Sequence, residues 1–232
     1  MGISRSHVTG YVRTGWLDRF GAGAVVRRGK PVDWQGAVYS LQSQLNLSIH
    51  PGGKTALGML GSLHYIPMGK TTITLLHRNG ETTPKWFSQH QWPEDIRLIG
   101  SDLFFNNDPL GLTELLIGEF IIKVSSSERA ILEYLDLLEN DNTGDEPVKL
   151  MESLAWLRPD LVQQLLESCS SIKVKRLFLV LAEIVDHSWF KKLDLSKVDT
   201  GNGKRQFVKG GYLHPGLQIT IPQSWRQPEA AL

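Results

Sequence analysis

Residues 2–28 read GISRSHVTGYVRTGWLDRFGAGAVVRR, and this stretch decides the fold of the N-terminal part. Gly2-Ile3-Ser4 is a compact helix start: Gly2 tolerates a turn, Ile3 can staple into a core, and Ser4 can cap exposed backbone N–H groups. The spacing predicts a helix from Arg5 to Thr14, with Val8, Tyr11 and Val12 on one face. Arg5, Ser6, Thr9 and Arg13 fall on another face, and Gly15 ends the helix as a C′ residue would. Leu17–Phe20 and Ala24–Arg28 read as two strands joined by Gly21-Ala22-Gly23, a hairpin. A helix followed by a basic hairpin is the second half of a winged helix-turn-helix. The first helix of that motif would precede Met1 and is expected to be missing.

Charge sharpens this reading. Met1–Arg78 holds nine Lys and Arg against two Asp and Glu, whereas Glu81 onward holds sixteen against twenty-two. The overall net charge of +1 is therefore a cancellation between a basic and an acidic part. Such asymmetry points to a polyanion-binding region joined to one with a different task. Hydrophobic content of 41% supports a folded core, and no apolar run is long enough to span a bilayer. Met1–Gly10 has no secretory pattern, so a cytoplasmic protein is expected. Cys169, the single cysteine, follows Leu161, Val162, Leu165 and Leu166 at helical spacing and reads as a buried structural thiol.

Further along, Asp33 caps a helix whose apolar stripe is Trp34, Ala37, Val38, Leu41 and Leu45. Pro51-Gly52-Gly53 breaks the chain before a short helix over Lys54–Leu60, and Thr71–Leu76 reads as a strand. Asn79-Gly80 is a turn signal at the change of charge sign, which divides the chain into residues 1–79 and 80–232. In the second part Ile96–Ile99 and Phe120–Val124 read as strands and Ser126–Glu139 as a helix, followed by a polar loop over Asn140–Glu146. Pro147–Trp189 reads as two or three helices broken at Pro159 and around Ser170. Leu217–Ile221 is a last strand and Gln223–Leu232 a frayed tail. The fold class is α+β: a winged helix-turn-helix lacking its first helix, then a mixed, helix-rich C-terminal domain.

The polar helix face suits a DNA major groove, since side chains at the start of a recognition helix reach base edges. Arg5, Ser6, His7, Thr9 and Arg13 are the candidates there, and Arg19, Arg27, Arg28 and Lys30 on or after the hairpin could neutralise phosphates. A merely solvated basic face is the bland alternative. Gly52-Gly53-Lys54-Thr55 falls short of a phosphate-binding loop because Ser48 stands where the first glycine belongs, so a tight turn into a helix is preferred. Gly100-Ser101 with Asp102 and Asp108 is a faint nucleotidyltransferase-like pattern without an Asp-x-Asp pair, and Asn106-Asn107-Asp108-Pro109 reads as a turn. The seven histidines, including His64 beside Tyr65, form no metal-ligand spacing, and no nucleophile elbow is present. No metal site, cofactor or catalytic group is expected.

Three stretches together are specific: GWLDRFGAGA at 15–24, VDWQGAVYSLQ at 32–42 and HPGGKTAL at 50–57. They resemble the AbiEi antitoxins of type IV toxin–antitoxin systems, in which a winged helix precedes a W-Q-G-A-x-Y-x-L-Q-type helix and a G-G-x-T-A-L turn-helix. The resemblance implies a prokaryotic binding protein, not an enzyme. It would repress its own operon by binding inverted repeats in promoter DNA, and would counter a nucleotidyltransferase-like AbiEii toxin without necessarily touching it. On this resemblance Ser4, Arg5, Ser6, His7 and Arg13 fall in the recognition helix and Arg19, Arg27 and Arg28 in the wing. Trp34, Gln35 and Gly36 match the signature helix, with Trp34 read as core, and Gly52, Gly53 and Thr55 match the signature turn, read as structural. Two other readings are a DNA-binding regulator with a C-terminal sensor or dimerisation domain, and a nucleotide-acting enzyme.

Overall fold

In the computed structural model, residues 4–62, 71–104 and 109–226 are described. Gly2, Ile3, His64, Tyr65, the Asn106–Asp108 turn and the end of the tail lie outside them, as does the side chain of Arg5.

Helix α1 (Arg5–Arg13) starts on Ser4, whose hydroxyl accepts the His7 N–H. The chain turns through Gly15, at φ +79°, into strands β1 (Leu17–Gly21) and β2 (Ala24–Arg27), an antiparallel hairpin. Helix α2 (Trp34–Leu45) is capped by Asp33, which accepts the Gly36 N–H at 2.7 Å. Trp34, Ala37, Val38 and Leu41 are buried as the stripe predicts, but Leu45 is 48% exposed. It sits in the last turn, just before Asn46 ends the helix in a left-handed conformation.

A three-stranded sheet follows, built from β3 (His50–Pro51), β4 (Thr72–His77) and β5 (Asp95–Gly100). Between β3 and β4 lies α3 (Gly53–Met59), and between β4 and β5 lies α4 (Lys85–Ser88). The β4–β5 pair is parallel and β3–β4 antiparallel. The Asn79-Gly80 turn thus lies between two strands that pair side by side. Strands β6 (Leu112–Ile117) and β7 (Phe120–Ser125) form a second hairpin. Neither β3 nor β6 stands out in the sequence, because two residues give no alternation and LTELLI fits helix as well as strand. One core joins α2, the three-stranded sheet and β7 through Trp34, Val38, Leu41, Ile49, Leu75, Phe87 and Ile122.

A larger core belongs to α5 (Ser127–Leu137), α6 (Glu146–Glu152), α7 (Pro159–Ser168) and α8 (Ile172–Val185). The breaks at Pro159 and Ser170 fall where proline and a capping serine place them. A small sheet of β8 (Arg205–Gln206), β10 (Ile219–Ile221) and β9 (Tyr212–His214) closes this end. The expected frayed tail is ordered at its start: Trp225 is buried, and its indole N–H donates to the Gly144 carbonyl at 2.7 Å. Cys169 is buried, and burial pushes its thiol up to about 11, as suits an inert structural residue. Among the described residues no helix is long and apolar enough to cross a membrane.

Candidate nucleic-acid interface

Helix α1 presents Ser6, His7, Thr9 and Arg13 to solvent, Val8 and Val12 are half-buried, and the helix packs against β1. Tyr11, expected on the packed face, is 47% exposed. The start of α1 is organised around its cap: the Ser4 hydroxyl lies 2.8 Å from both Ser6 Oγ and His7 Nδ1. Ser6 and His7 are therefore held at the N-terminal turn, where exposed N–H groups favour an anion.

In the hairpin, strand pleating sorts the basic residues. Leu17 pairs with Arg27 and Arg19 with Val25, which places Arg19 and Arg27 on one face, both exposed. Asp18 and Phe20 point to the other face, where Asp18 Oδ1 accepts from Arg28 Nε at 3.2 Å. Of the three wing arginines, Arg19 and Arg27 share a face, whereas Arg28 has turned away to an acid. Lys30 is exposed beyond the hairpin, after the turn through Gly29.

Phe20 ties the hairpin to the body of the protein. Its ring lies 4.5 Å from that of His90, 6.0 Å from that of Trp86 and 6.2 Å from that of Trp92. Gly21 is required at this junction, because a Cβ there would stand 2.9 Å from the Trp86 Cβ. Sequence reading missed this aromatic clamp. Its only signal is the concentration of Trp86, Phe87, His90 and Trp92 within seven residues.

The two sequence signatures turn out to build an internal network. The Gln42 amide behaves like a strand edge: it donates to the Lys123 and Ile49 carbonyls and accepts the Lys123 N–H, each at 2.8 Å. Gly52 lies against Glu133, where a Cβ would be 2.6 Å from Oε2, and Gly53 adopts φ +51° while donating its N–H to that same oxygen at 3.1 Å. Thr55 accepts the Thr74 N–H at 2.8 Å, and Lys54 pairs with Glu146. The Gly53 N–H, the Lys54 ammonium and the Thr55 hydroxyl are thus engaged within the protein, which favours a structural turn over a phosphate cradle. Gly100-Ser101 is likewise local: the Asn79 side chain fills the space above Gly100, and Ser101 Oγ accepts the Leu103 N–H.

Glu133 is the centre of that network. It accepts from Ser125 Oγ at 2.7 Å and Arg129 Nε at 2.6 Å, and lies 3.4 Å from His50 Nε2. Burial alone would raise its carboxyl, but the hydrogen bond and charge of His50, with the Arg129 guanidinium, hold it down to about 2. Glu128, also buried, is held down to about 2 against its own desolvation by a two-pronged pair with Arg158 and by the Arg158 N–H. Among the described residues no group of three or more potential metal ligands occurs.

The family described as "Transcriptional regulator, AbiEi antitoxin, Type IV TA system" matches residues 70–222, and the N-terminal domain of the AbiEi antitoxin matches residues 1–68. The chain belongs to the AbiEi antitoxin family. Its fold is similar to that in the crystal structure of the RV2827C protein from Mycobacterium tuberculosis, with a TM-score of 0.52 at 15% identity over 93% of this chain and 78% of that one. At that identity the likeness concerns the fold. No curated protein matches the chain. As an AbiEi-family protein it has a general transcriptional-regulatory and antitoxin role, and its N-terminal mixed α/β region and helix-rich C-terminal region agree with a winged helix joined to a helical domain.

Proposed function

We propose that this AbiEi-family chain represses its own operon by binding inverted repeats in promoter DNA, and counters a nucleotidyltransferase-like toxin without being an enzyme or needing a cofactor. DNA reading is assigned to α1 and the β1–β2 hairpin within residues 1–79, and neutralisation to residues 80–232. The observation that carries the DNA reading is the hairpin face on which Arg19 and Arg27 stand together in solvent, next to a helix offering Ser6, His7, Thr9 and Arg13. Arginine and lysine near the wing would supply phosphate contacts, and α1 the base contacts. The buried carboxylates Glu128 and Glu133 are held by arginine and backbone partners, which fits a structural use of both.

The test pairs two assays. Binding of the purified chain to the duplex upstream of its own gene is followed by gel shift, and growth is scored when the chain is co-expressed with a neighbouring nucleotidyltransferase-like gene. Arg13→Ala is expected to weaken promoter binding and repression while leaving growth rescue intact. Loss of rescue by that variant at unchanged protein level would refute the separation of the two roles.

A further inference from the structure

We propose that the groove between the hairpin tip and α4 holds a DNA backbone strand, so that the wing is straddled by both strands of the duplex. This rests on the reading of α1 and β1–β2 as a DNA-binding unit, and adds to it a contact from beyond the hairpin. The groove is a cavity of about 570 Å³ with Phe20 and Gly21 on one side and Lys85, Gln89, His90 and Gln91 on the other. Beside Trp86, the α4 side carries Lys85, Gln89, His90 and Gln91, which can all donate hydrogen bonds, and no carboxylate lines the groove, although the chain beyond residue 80 is acidic overall. A wall of donors without an acid is the chemistry of a phosphodiester site.

Position gives the second argument. Arg19 and Arg27 occupy the hairpin face opposite to Phe20, so the groove lies on the far side of the same tip. A hairpin tip that enters a minor groove about 6 Å wide has one phosphate backbone on each face. Arg19 and Arg27 meet one strand, and Lys85 with Gln89 meets the other. The tip itself, Gly21-Ala22-Gly23, has no bulky side chain to keep the backbones away. The aromatic clamp of Phe20 with Trp86 and His90 fixes the spacing between the two walls.

The experiment is a salt titration of binding to the upstream duplex and to an unrelated duplex, using the full chain, Lys85→Ala with Gln89→Ala, and Arg19→Ala with Arg27→Ala. Lys85, Gln89, Arg19 and Arg27 are all exposed, so these variants keep the fold. The α4 variant is expected to bind both duplexes several-fold more weakly and to lower the slope of log K against log salt by about one, with its preference for the upstream duplex unchanged. Hydroxyl-radical footprinting should show lost protection on one strand only, next to the wing. If the α4 variant binds and titrates like the wild type while the hairpin variant loses affinity, the groove is not a DNA site and the wing assignment stands. If neither variant loses affinity, or the wild type binds no duplex, both the groove and the wing assignment are overturned.

Discussion

Arg19 and Arg27 stand in solvent on one face of the β1–β2 hairpin, whereas Arg129 and Arg176 are only 4% and 2% exposed inside the second half of the chain. The buried pair is fully engaged. Arg129 bonds Glu133 and the Leu110 carbonyl and lies 4.8 Å from the Phe104 ring centre. Arg176 donates to the carbonyls of Thr200, Gly201, Gly203 and Gln218, tying the 200–203 loop and the residue before β10 to α8. One residue type is therefore left to water on the hairpin and has its donors used up in the core. Counting charges along the sequence cannot separate these uses. The surplus of the first 78 residues includes Lys54, which pairs with Glu146, and Arg28, which pairs with Asp18.

The largest expected effect strikes the closed side of this contrast. Glu133→Ala would leave the buried Arg129 and His50 without their carboxylate and the Gly53 N–H and Ser125 hydroxyl without an acceptor. Breaking a buried ionic group from one side costs about 3–5 kcal/mol, read as a fall in the urea midpoint. A change below about 1 kcal/mol would mean that the network behaves like a surface pair, and the contrast would fail. Gly52→Ala comes next, at about 1–3 kcal/mol for overpacking, because its Cβ would meet both Glu133 and Leu76 at 2.6 Å. Full stability in that variant would show that the turn can retreat from Glu133.

A third effect follows from proton linkage at Glu128. Its folded-state pKa of about 2 lies below the ordinary 4.5, so the stability it contributes is complete above pH 4.5 and is lost as pH falls from there towards 2. Glu128→Gln cannot titrate at this position. Urea midpoints measured at pH 7, 4.5 and 3 should therefore fall less steeply in the variant than in the wild type. Parallel curves would show that the Arg158 pair does not favour the ionised form in the folded protein.

What was legible in the sequence follows the range of each interaction. The Ser4 and Asp33 caps, the hairpin at Gly21-Ala22-Gly23 and the breaks at Pro159 and Ser170 are set by neighbours within a few residues, and the structure places them where the pattern does. The buried polar network was not legible, since His50 and Glu133 are 83 positions apart and nothing local marks either as a partner. Glu128 and Arg129 look like the solvated face of an amphipathic helix, yet α5 is covered on nearly all sides. Leu45 and Tyr11 fail in the opposite direction: periodicity assigns them to packed faces, but they are 48% and 47% exposed. For the interface, sequence named the basic residues and pleating sorted them, bringing Arg19 and Arg27 together and turning Arg28 away. The α4 side of the groove carried no recognisable motif, because Lys85, Gln89, His90 and Gln91 meet the hairpin only through the fold.

The smallest stability effect tests the open side of the contrast. Arg28 and Asp18 form a pair whose side chains are 63% and 46% exposed, and such pairs contribute about 0–1 kcal/mol. Asp18→Asn should therefore leave the urea midpoint nearly unchanged. The same substitution removes the only acid of the hairpin and releases Arg28 beside the wing. Affinity for the upstream duplex should rise several-fold, and the salt dependence should steepen as Arg28 gains a phosphate. If stability falls instead and affinity does not rise, the pair is a strut of the hairpin, and Arg28 belongs with Arg129 and Arg176 rather than with Arg19 and Arg27.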